Sequence, residues 1–337
     1  MSDASPMNGI ARASRLRDLE FSDLYLGHPR LESWFSGVSG LAISALPLDH
    51  ALHDELALLA AACEDAAARG GAPHAAFRVL HDEVSYRGMP LLTAAGRIFL
   101  LRRLPGQPET LSSAGIPPAY VRRITARFLS GLFIVCGGPR SGRTTTAGAL
   151  LKERLLLHGG LAVTVEDPVE LSLAGPHGEG LCLQTSFPST GEEHFPAALR
   201  GLLRNGAGMV LVDEVSTPAV AAAVLQAAIG GPLVVATLQS EDILQCLVKL
   251  HALASERLGA DNARVLLSEG LAGILHLQIA RPPRHKAKLE SEFLFLDDAP
   301  APRALLRRGE YEQLASVMRQ QMATMISESA LERFGNG

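Results

Sequence analysis

The residues best suited to chemistry are Gly137, Gly138, Pro139, Arg140, Ser141, Gly142, Arg143 and Thr144, which read G-G-P-R-S-G-R-T. This is the phosphate-loop pattern G-x-x-x-x-G-K-[ST] with Arg143 in the lysine position. Glycines let the backbone fold back and turn successive N–H groups inward. The positive end of a following helix adds to the field that holds an anionic phosphate. The Arg143 side chain would then face the outer phosphates, and the Thr144 hydroxyl, followed by Thr145, would ligate Mg²⁺. Two acidic clusters could complete such a site. The run from Gly208 to Val212 ends in Asp213 and Glu214, and the run Thr164-Val165 ends in Glu166 and Asp167 before Pro168. Magnesium bound through water, or an attacking water that needs a base, calls for oxygens of this kind. The plainer alternatives are an acidic helix cap ahead of Pro218 and an ordinary acidic turn at Glu166-Asp167. Pro168 biases Asp167 toward an extended backbone, which would project Glu166 and Asp167 off a sheet edge.

These residues need a scaffold, and the surrounding pattern supplies one. Gly131 to Cys136 is an apolar run rich in strand formers, followed by a glycine turn and a helix expected over Thr144 to His158. Strands are expected at Leu161–Glu166, Leu181–Thr185, Met209–Asp213 and Leu233–Thr237. Helices are expected at Glu192–Arg204, Pro218–Ile229 and Glu241–Leu253. Such alternation predicts an α/β core with a mostly parallel sheet and helices on both faces. In those sheets the ligand sits at the carboxyl ends of the strands, where every residue named above falls. A further helix is expected at Ala263–Leu275, then a hairpin of His276–Ala280 with Ser291–Leu296. Two or three short amphipathic helices should span Arg303 to Phe334. The basic segment Arg281 to Lys288 reads as a solvated loop.

Upstream, residues 1–19 read as a flexible start. Residues 20–104 read as a small α+β domain. Its strands are expected at Phe21–Leu26, Gly40–Ser44, Ala76–Leu80, Glu83–Arg87 and Arg97–Leu101. Its helix should run from Leu48 to Arg69, stopped by Gly70-Gly71. Proline- and glycine-rich residues 105–118 form the expected linker, and 119–337 the second domain, opening with a helix over Ala119–Leu129.

The 337 residues carry a net charge of −4, so no basic field favours nucleic acid, and none is expected as a partner. The 4 cysteines are far apart, without a C-x-x-C pair. No secretory leader is expected at the start, and no apolar run reaches the ~20 residues needed to cross a bilayer, so the protein reads as cytoplasmic with reduced thiols. His50 and His53 lie about one helical turn apart and read as solvent-facing rather than as a metal pair.

Taken together, these segments resemble the traffic ATPases of type IV pili and of type II and type IV secretion systems, most of all the pilus retraction branch. Gly131–Leu150 is similar to the family's loop region. Val163–Glu170 is similar to its aspartate box, T-[IV]-E-D-P-[IV]-E. Ala198–Arg204 resembles its A-L-R-x-x-L-R helix, and Leu211–Glu214 its Walker B segment, L-V-G-E. Ser22–Leu24 and Ser268–Leu271 also match. The resemblance implies a PAS-like N-terminal domain before a RecA-like P-loop core. It implies a hexameric ring, or a mixed ring with related ATPases, working peripherally at the inner membrane with a platform protein. ATP and Mg²⁺ are the implied cofactors. Glu166 would orient or activate the attacking water, and Glu214 would be the acid near the metal, with Thr144. Arg87, Arg102 and Arg103 are candidates for the arginines that family members send to the nucleotide from the N-terminal domain. The alternative for them is ordinary strand surface charge.

Several positions depart from the family pattern. Arg143 replaces the loop lysine. The histidine box, G-H-L-x-x-x-T-L-H-T, here reads Gly231-Pro232-Leu233-Val234-Val235-Ala236-Thr237-Leu238-Gln239-Ser240, without either histidine. Ser216 stands where an arginine is usual, and Asn205–Gly208 replaces D-P-D. Gln239 could still hydrogen-bond a phosphate or water. Nucleotide binding with slow hydrolysis is the expectation. The alternative is a catalytically impaired paralogue that serves as a structural or regulatory subunit.

Overall fold

The computed structural model describes residues 13–27, 32–38, 43–47, 49–69, 74–104, 110–187, 193–280, 288–296 and 300–335. They fall into two units, Met1–Gly106 with Asp167–Glu170, and Gln107–Glu166 with Leu171–Gly337.

In the first unit, β1 (Asp23–Leu26), β2 (Trp34–Ser36), β3 (Ser44–Ala45), β4 (Phe77–His81), β5 (Val84–Thr93) and β6 (Gly96–Arg103) form an antiparallel sheet of order β3-β2-β1-β6-β5-β4. Helix α1 (Leu52–Arg69) buries Leu52, Leu56, Leu59 and Cys63, one stripe at helical spacing, in the core with Tyr86, Phe99 and Leu101. Asp82 and Glu83, with φ of 43° and 66°, make the tight β4–β5 turn whose twist suits a hairpin. Of the strand expected over Gly40–Ser44, residues 40–42 lie outside the described residues. β2 was not expected, because three residues are too short to show alternation. Within the expected flexible start, Leu16 and Leu19 are buried, and the Leu16 N–H donates to Glu55 Oε2 at 2.9 Å.

The second unit begins with α2 (Pro118–Ile124). Next come β7 (Gly131–Gly137), α3 (Arg143–His158), β8 (Gly160–Glu166), β9 (Gly175–His177) and β10 (Gly180–Ser186). Then follow α4 (Phe195–Arg204), β11 (Met209–Val212), α5 (Pro218–Ala227), β12 (Leu233–Gln239), α6 (Ile243–Leu258) and α7 (Ala260–Gly270). The unit closes with β13 (Leu271–Ala280), β14 (Lys288–Phe295), α8 (Pro300–Arg308) and α9 (Leu314–Gly335). The sheet order is β14-β13-β7-β12-β11-β8-β10-β9, parallel from β13 to β10 and closed by antiparallel edges. All of β7 is buried, as a parallel strand covered on both faces must be. Phe133 and Val135 pack under α2 and α3, while Leu132, Ile134 and Cys136 pack against α4 to α8. This is the α/β core with helices on both faces that the pattern implied.

Two helix expectations are corrected. The helix expected over Ala119–Leu129 runs from Pro118 and stops at Ile124. The helix placed over Ala263–Leu275 stops at Gly270, and Leu271 onward is β13. Leu271 to Leu277 is buried throughout, and a wholly apolar run has no periodicity that separates strand from helix. At the carboxyl end the expected two or three helices are α8, a 3-10 turn at Tyr311–Gln313 and α9, of which α9, at 22 residues, is longer than expected.

Arg154 anchors α3 from below. Its guanidinium donates to the carbonyls of Ile124 at 3.1 Å, Ala126 at 2.7 Å and Arg127 at 3.5 Å, and burial lowers its pKa to about 10. One turn later, His158 Nε2 meets the Thr125 carbonyl at 2.7 Å.

Candidate functional site

β7, β12, β11 and β8 are consecutive neighbours, so their carboxyl ends form one edge of the sheet. At that edge the chain leaves β7 through the glycine turn and enters α3. Gly137 has φ of 156°, and a Cβ there would lie 2.3 Å from the Leu277 carbonyl oxygen and 2.5 Å from Ser141 Oγ. The close approach of the turn to β13 therefore requires glycine. Gly142, with φ of 90°, caps α3 in the left-handed region, where glycine alone is unstrained. Arg140 shares that region, with φ of 62°. A Cβ on Gly138 or Gly142 would meet nothing within 4 Å, so there is open space above the turn.

Two buried polar atoms at this turn lack a hydrogen-bond partner among the described residues, Arg143 Nη1 and Ser141 Oγ. The Arg143 side chain is 15% exposed, and its nearest acid is Glu214, with Nη1 4.0 Å from Oε1. A buried guanidinium nitrogen without a partner is costly unless an anion completes it. An open glycine turn, a helix start and this cation all fit a phosphate.

The acids converge on the same face. Thr144 Oγ1 donates to Asp213 Oδ1 at 3.4 Å, and Thr237 Oγ1 donates to the same oxygen at 3.3 Å. The Glu214 N–H donates to Thr237 Oγ1 at 2.9 Å. Glu214 is left-handed, with φ of 53°, a conformation that costs roughly 1–2 kcal/mol outside glycine and persists where the surroundings enforce it. On β8, Ala162 packs beneath α3, and strand alternation puts Thr164 and Glu166 on that side too. Glu166 is buried, and its Oε1 accepts from Thr164 Oγ1 at 2.5 Å and Gln184 Nε2 at 2.9 Å. Its charge also reaches Cys182, whose thiol is pushed up to about 11 by burial first and Glu166 second. β8 and β11 stay joined one residue past the end of β11, since the Asp213 N–H donates to the Val165 carbonyl at 3.0 Å.

Gln239 ends β12 in register with Gly137, and its carbonyl accepts from Lys249 Nζ at 3.0 Å. Pro232 precedes the other end of that strand, and its carbonyl accepts from the Gly131 N–H at 3.0 Å. A cleft of about 290 Å³ lies beside the turn, lined in part by Gly138, Arg140, Ser141, His276 and Gln278. The larger cleft, about 560 Å³, lies at the amino ends of β11 and β12 between Arg200, Arg204 and Pro232. Size does not decide between them, because parallel sheets bind ligands at the carboxyl ends. Among the described residues, no three His, Cys, Asp or Glu side chains are grouped to hold a metal by themselves.

Residues 75–328 match the family described as Type II/IV secretion system protein. The chain belongs to this family. Among its relatives, the type IV pilus assembly ATPase PilB of Thermus thermophilus is 27% identical over 212 residues, which cover 62% of this chain and 21% of PilB. The type II secretion system protein HxcR of Pseudomonas aeruginosa is 28% identical over 210 residues, covering 61% of this chain and 42% of HxcR. The chain thus spans less than half the length of these relatives. Of solved structures, the pilus retraction motor PilT with bound ADP superposes at a TM-score of 0.72 with 21% identity, covering 90% of this chain and 87% of PilT. The Legionella pneumophila ATPase DotB superposes at 0.67 with 18% identity, covering 95% and 88%. At these identities the likeness speaks to fold, and the second unit is the RecA-like P-loop core.

The secretion-family match includes the three arginines of the first unit, and each has a partner there. Arg102 donates from Nε and Nη2 to Asp23 Oδ1 at 2.8 and 2.7 Å, its register partner across β1 and β6. Arg103 Nη1 donates to the Arg17 carbonyl at 3.0 Å, and Arg87 pairs with Glu170. Asp167, expected to project with Glu166, is exposed at the start of the 167–170 segment that groups with the first unit. Sequence reasoning missed Thr237, Thr164 and Gln184. Thr164 and Thr237 are signalled by the aspartate and histidine boxes that contain them, and Gln184 only by its polarity on the face of β10 that carries Cys182. Among the described residues, no helix is long and apolar enough to cross a membrane.

Proposed function

We propose that this chain binds Mg-ATP at the Gly137–Thr144 turn and hydrolyses it slowly, as a motor subunit of a pilus or secretion machine. The observation that carries the reading is the buried Nη1 of Arg143, without a hydrogen bond among the described residues, beside an open glycine turn. Backbone N–H groups of Gly138 and of residues 140 to 145, with the Arg143 side chain, would hold the phosphates. The Thr144 hydroxyl and the carboxylates of Asp213 and Glu214 would hold Mg²⁺ together with the phosphates, a reading supported by the hydrogen bond from Thr144 to Asp213. Magnesium, when bound, would neutralise charge on the phosphate oxygens. Glu166 would orient the attacking water and take its proton, and Gln239 would add a hydrogen bond at the same edge. Arg87, Arg102 and Arg103 remain candidates for additional phosphate contact, and Arg102 would first have to release Asp23.

Family membership supports a ring, homohexameric or mixed with active relatives, on the cytoplasmic side of an inner membrane with a platform protein. A second reading is favoured by Arg143 and Gln239, which replace a lysine and a histidine of the family pattern. It makes the chain an impaired paralogue that builds or regulates a ring of active subunits. One measurement separates the two, steady-state ATP hydrolysis by the purified chain with Glu214→Gln as control. Turnover that falls in the control supports the motor. A rate equal to that of Glu214→Gln, with Mg-ATP still bound, supports the regulatory subunit.

A further inference from the structure

Gln184 is a polar residue on the face of β10 that carries the buried Cys182. Its amide is fully used. Nε2 donates to Glu166 Oε1 and to the Leu171 carbonyl, each at 2.9 Å. Oε1 accepts from the backbone N–H groups of Leu173 and Ala174, each at 2.8 Å. A glutamine amide offers two donor hydrogens and two acceptor lone pairs, so this one is saturated. The four bonds bracket residues 167–170, which group with the first unit. One bond holds the residue just before that segment, and three hold residues just after it.

Glutamate has a long side chain, and fixing such a chain costs up to roughly 1.5–2 kcal/mol of rotamer entropy. Glu166 receives two hydrogen bonds on a single oxygen, from Thr164 and from Gln184. Thr164 lies on the same strand as Glu166 and moves with it. Gln184 lies on the neighbouring strand and fixes the carboxylate relative to the rest of the sheet.

We propose that Gln184 is a positioning residue for Glu166. It holds the carboxylate in the orientation needed to handle the attacking water. It ties that orientation to the points where the chain leaves and re-enters the second unit. This inference rests on the hydrolysis reading given above.

The test is steady-state ATP hydrolysis by the full chain and four variants, Gln184→Met, Gln184→Glu, Glu166→Gln and the double variant Glu166→Gln/Gln184→Met. Methionine keeps the length and removes all four bonds. Glutamate keeps an acceptor for Leu173 and Ala174 but replaces the amide donor with a second carboxyl, which repels the Glu166 carboxylate or shares a proton with it. A misplaced catalytic group costs up to about 100-fold, so kcat should fall about 10- to 100-fold in both single Gln184 variants. KM for ATP should stay within about twofold, because the bond acts on a residue of the chemical step. In the Glu166→Gln background the methionine substitution should change kcat by less than about twofold, since it acts through Glu166. Unchanged kcat in Gln184→Glu, or an equal fall with and without Glu166, would overturn the inference while leaving hydrolysis intact. If the parent does not turn over, or Glu166→Gln is as fast as the parent, the hydrolysis reading fails and this inference falls with it. If Gln184→Met does not fold, Gln184→Glu carries the comparison, with Glu166→Gln/Gln184→Glu made as a fifth variant.

Discussion

Replacing Arg143 with methionine should move stability and binding in opposite directions. In the unliganded chain Nη1 is buried without a hydrogen bond, and its nearest acid, Glu214, is 4.0 Å away. Leaving such a donor unsatisfied costs about 1–3 kcal/mol. The attraction of Glu214 and the 15% exposure of the side chain return part of that cost. The expected net effect of Arg143→Met is therefore a gain of about 1 kcal/mol in the unliganded state. For a unit of this size that corresponds to a Tm about 2–4 °C higher. The same change removes a charge-assisted hydrogen bond to phosphate, worth about 1.5–3 kcal/mol, or roughly 10- to 100-fold in Kd. Thermal unfolding with and without Mg-ATP, alongside calorimetric titration, reads both effects. A raised unliganded Tm with a smaller nucleotide-induced shift is the expected result. A lowered unliganded Tm with unchanged Kd would refute the reasoning, because Arg143 would then be a structural prop rather than a cation held ready for an anion.

Other consequences are open to direct measurement. Arg143→Lys, a compact charge on a flexible stem, should raise ATP turnover about tenfold; no gain would put the deficit at Gln239 instead. Arg154→Ala should cost about 3 kcal/mol in chemical denaturation, because three carbonyls at the base of α3 lose their donor. A loss below about 0.5 kcal/mol would mean that water replaces the guanidinium there. The 4 cysteines are buried thiols, with Cys63 pushed up to about 12 and Cys182 to about 11 by burial. The native chain should therefore resist alkylation at pH 8, and all should react after denaturation. A folded-state pKa above the unfolded value of 9.0 also means that these thiols contribute stability present below pH 9 and lost as pH rises toward 11 and 12. Unfolding curves that do not shift between pH 9 and 11 would contradict that sign. Light scattering with Mg-ATP should find a hexamer; a strict monomer at high concentration would favour a subunit that needs a partner ring.

Much of this was legible in the residues. The loop could be read because its glycines are required by geometry, as the Leu277 carbonyl 2.3 Å from a Cβ at Gly137 makes plain. The mostly parallel character of the sheet was implied by alternating strands and helices, since parallel neighbours need a crossover between them; its strand order was not. Three features were not legible. β13 looked helical because a strand buried on both faces loses its period of two. β2 is shorter than any pattern can register. The supporting side chains Gln184 and Thr237 act through neighbours distant in sequence, and Thr164 through Glu166 two residues on. Gln184 stands 18 residues from Glu166, and Thr237 stands 24 from Asp213. No local spacing announces such pairs; only the parallel registers of β8 with β10 and of β11 with β12 bring them together.

Those registers also bear on how slow hydrolysis should be. The family's histidine box has two histidine positions, occupied here by Pro232 and Gln239. Pro232 precedes the amino end of β12 and lines the cleft with Arg200 and Arg204, whereas Gln239 sits in register with Gly137 at the turn. One position of the pair, not both, therefore faces the phosphate edge in this chain. Losing a single preorganised donor costs about 10²–10³ in rate, and losses within one site do not multiply. Thr237, which the box retains, still bonds Asp213 and the Glu214 backbone. The hydrogen bonds that tie Asp213 and Glu214 to β12 are thus kept, and Arg143 and Gln239 lie outside them. A site altered in this way should keep its Mg-ATP affinity better than its turnover, and Glu214→Gln should still lower what turnover remains.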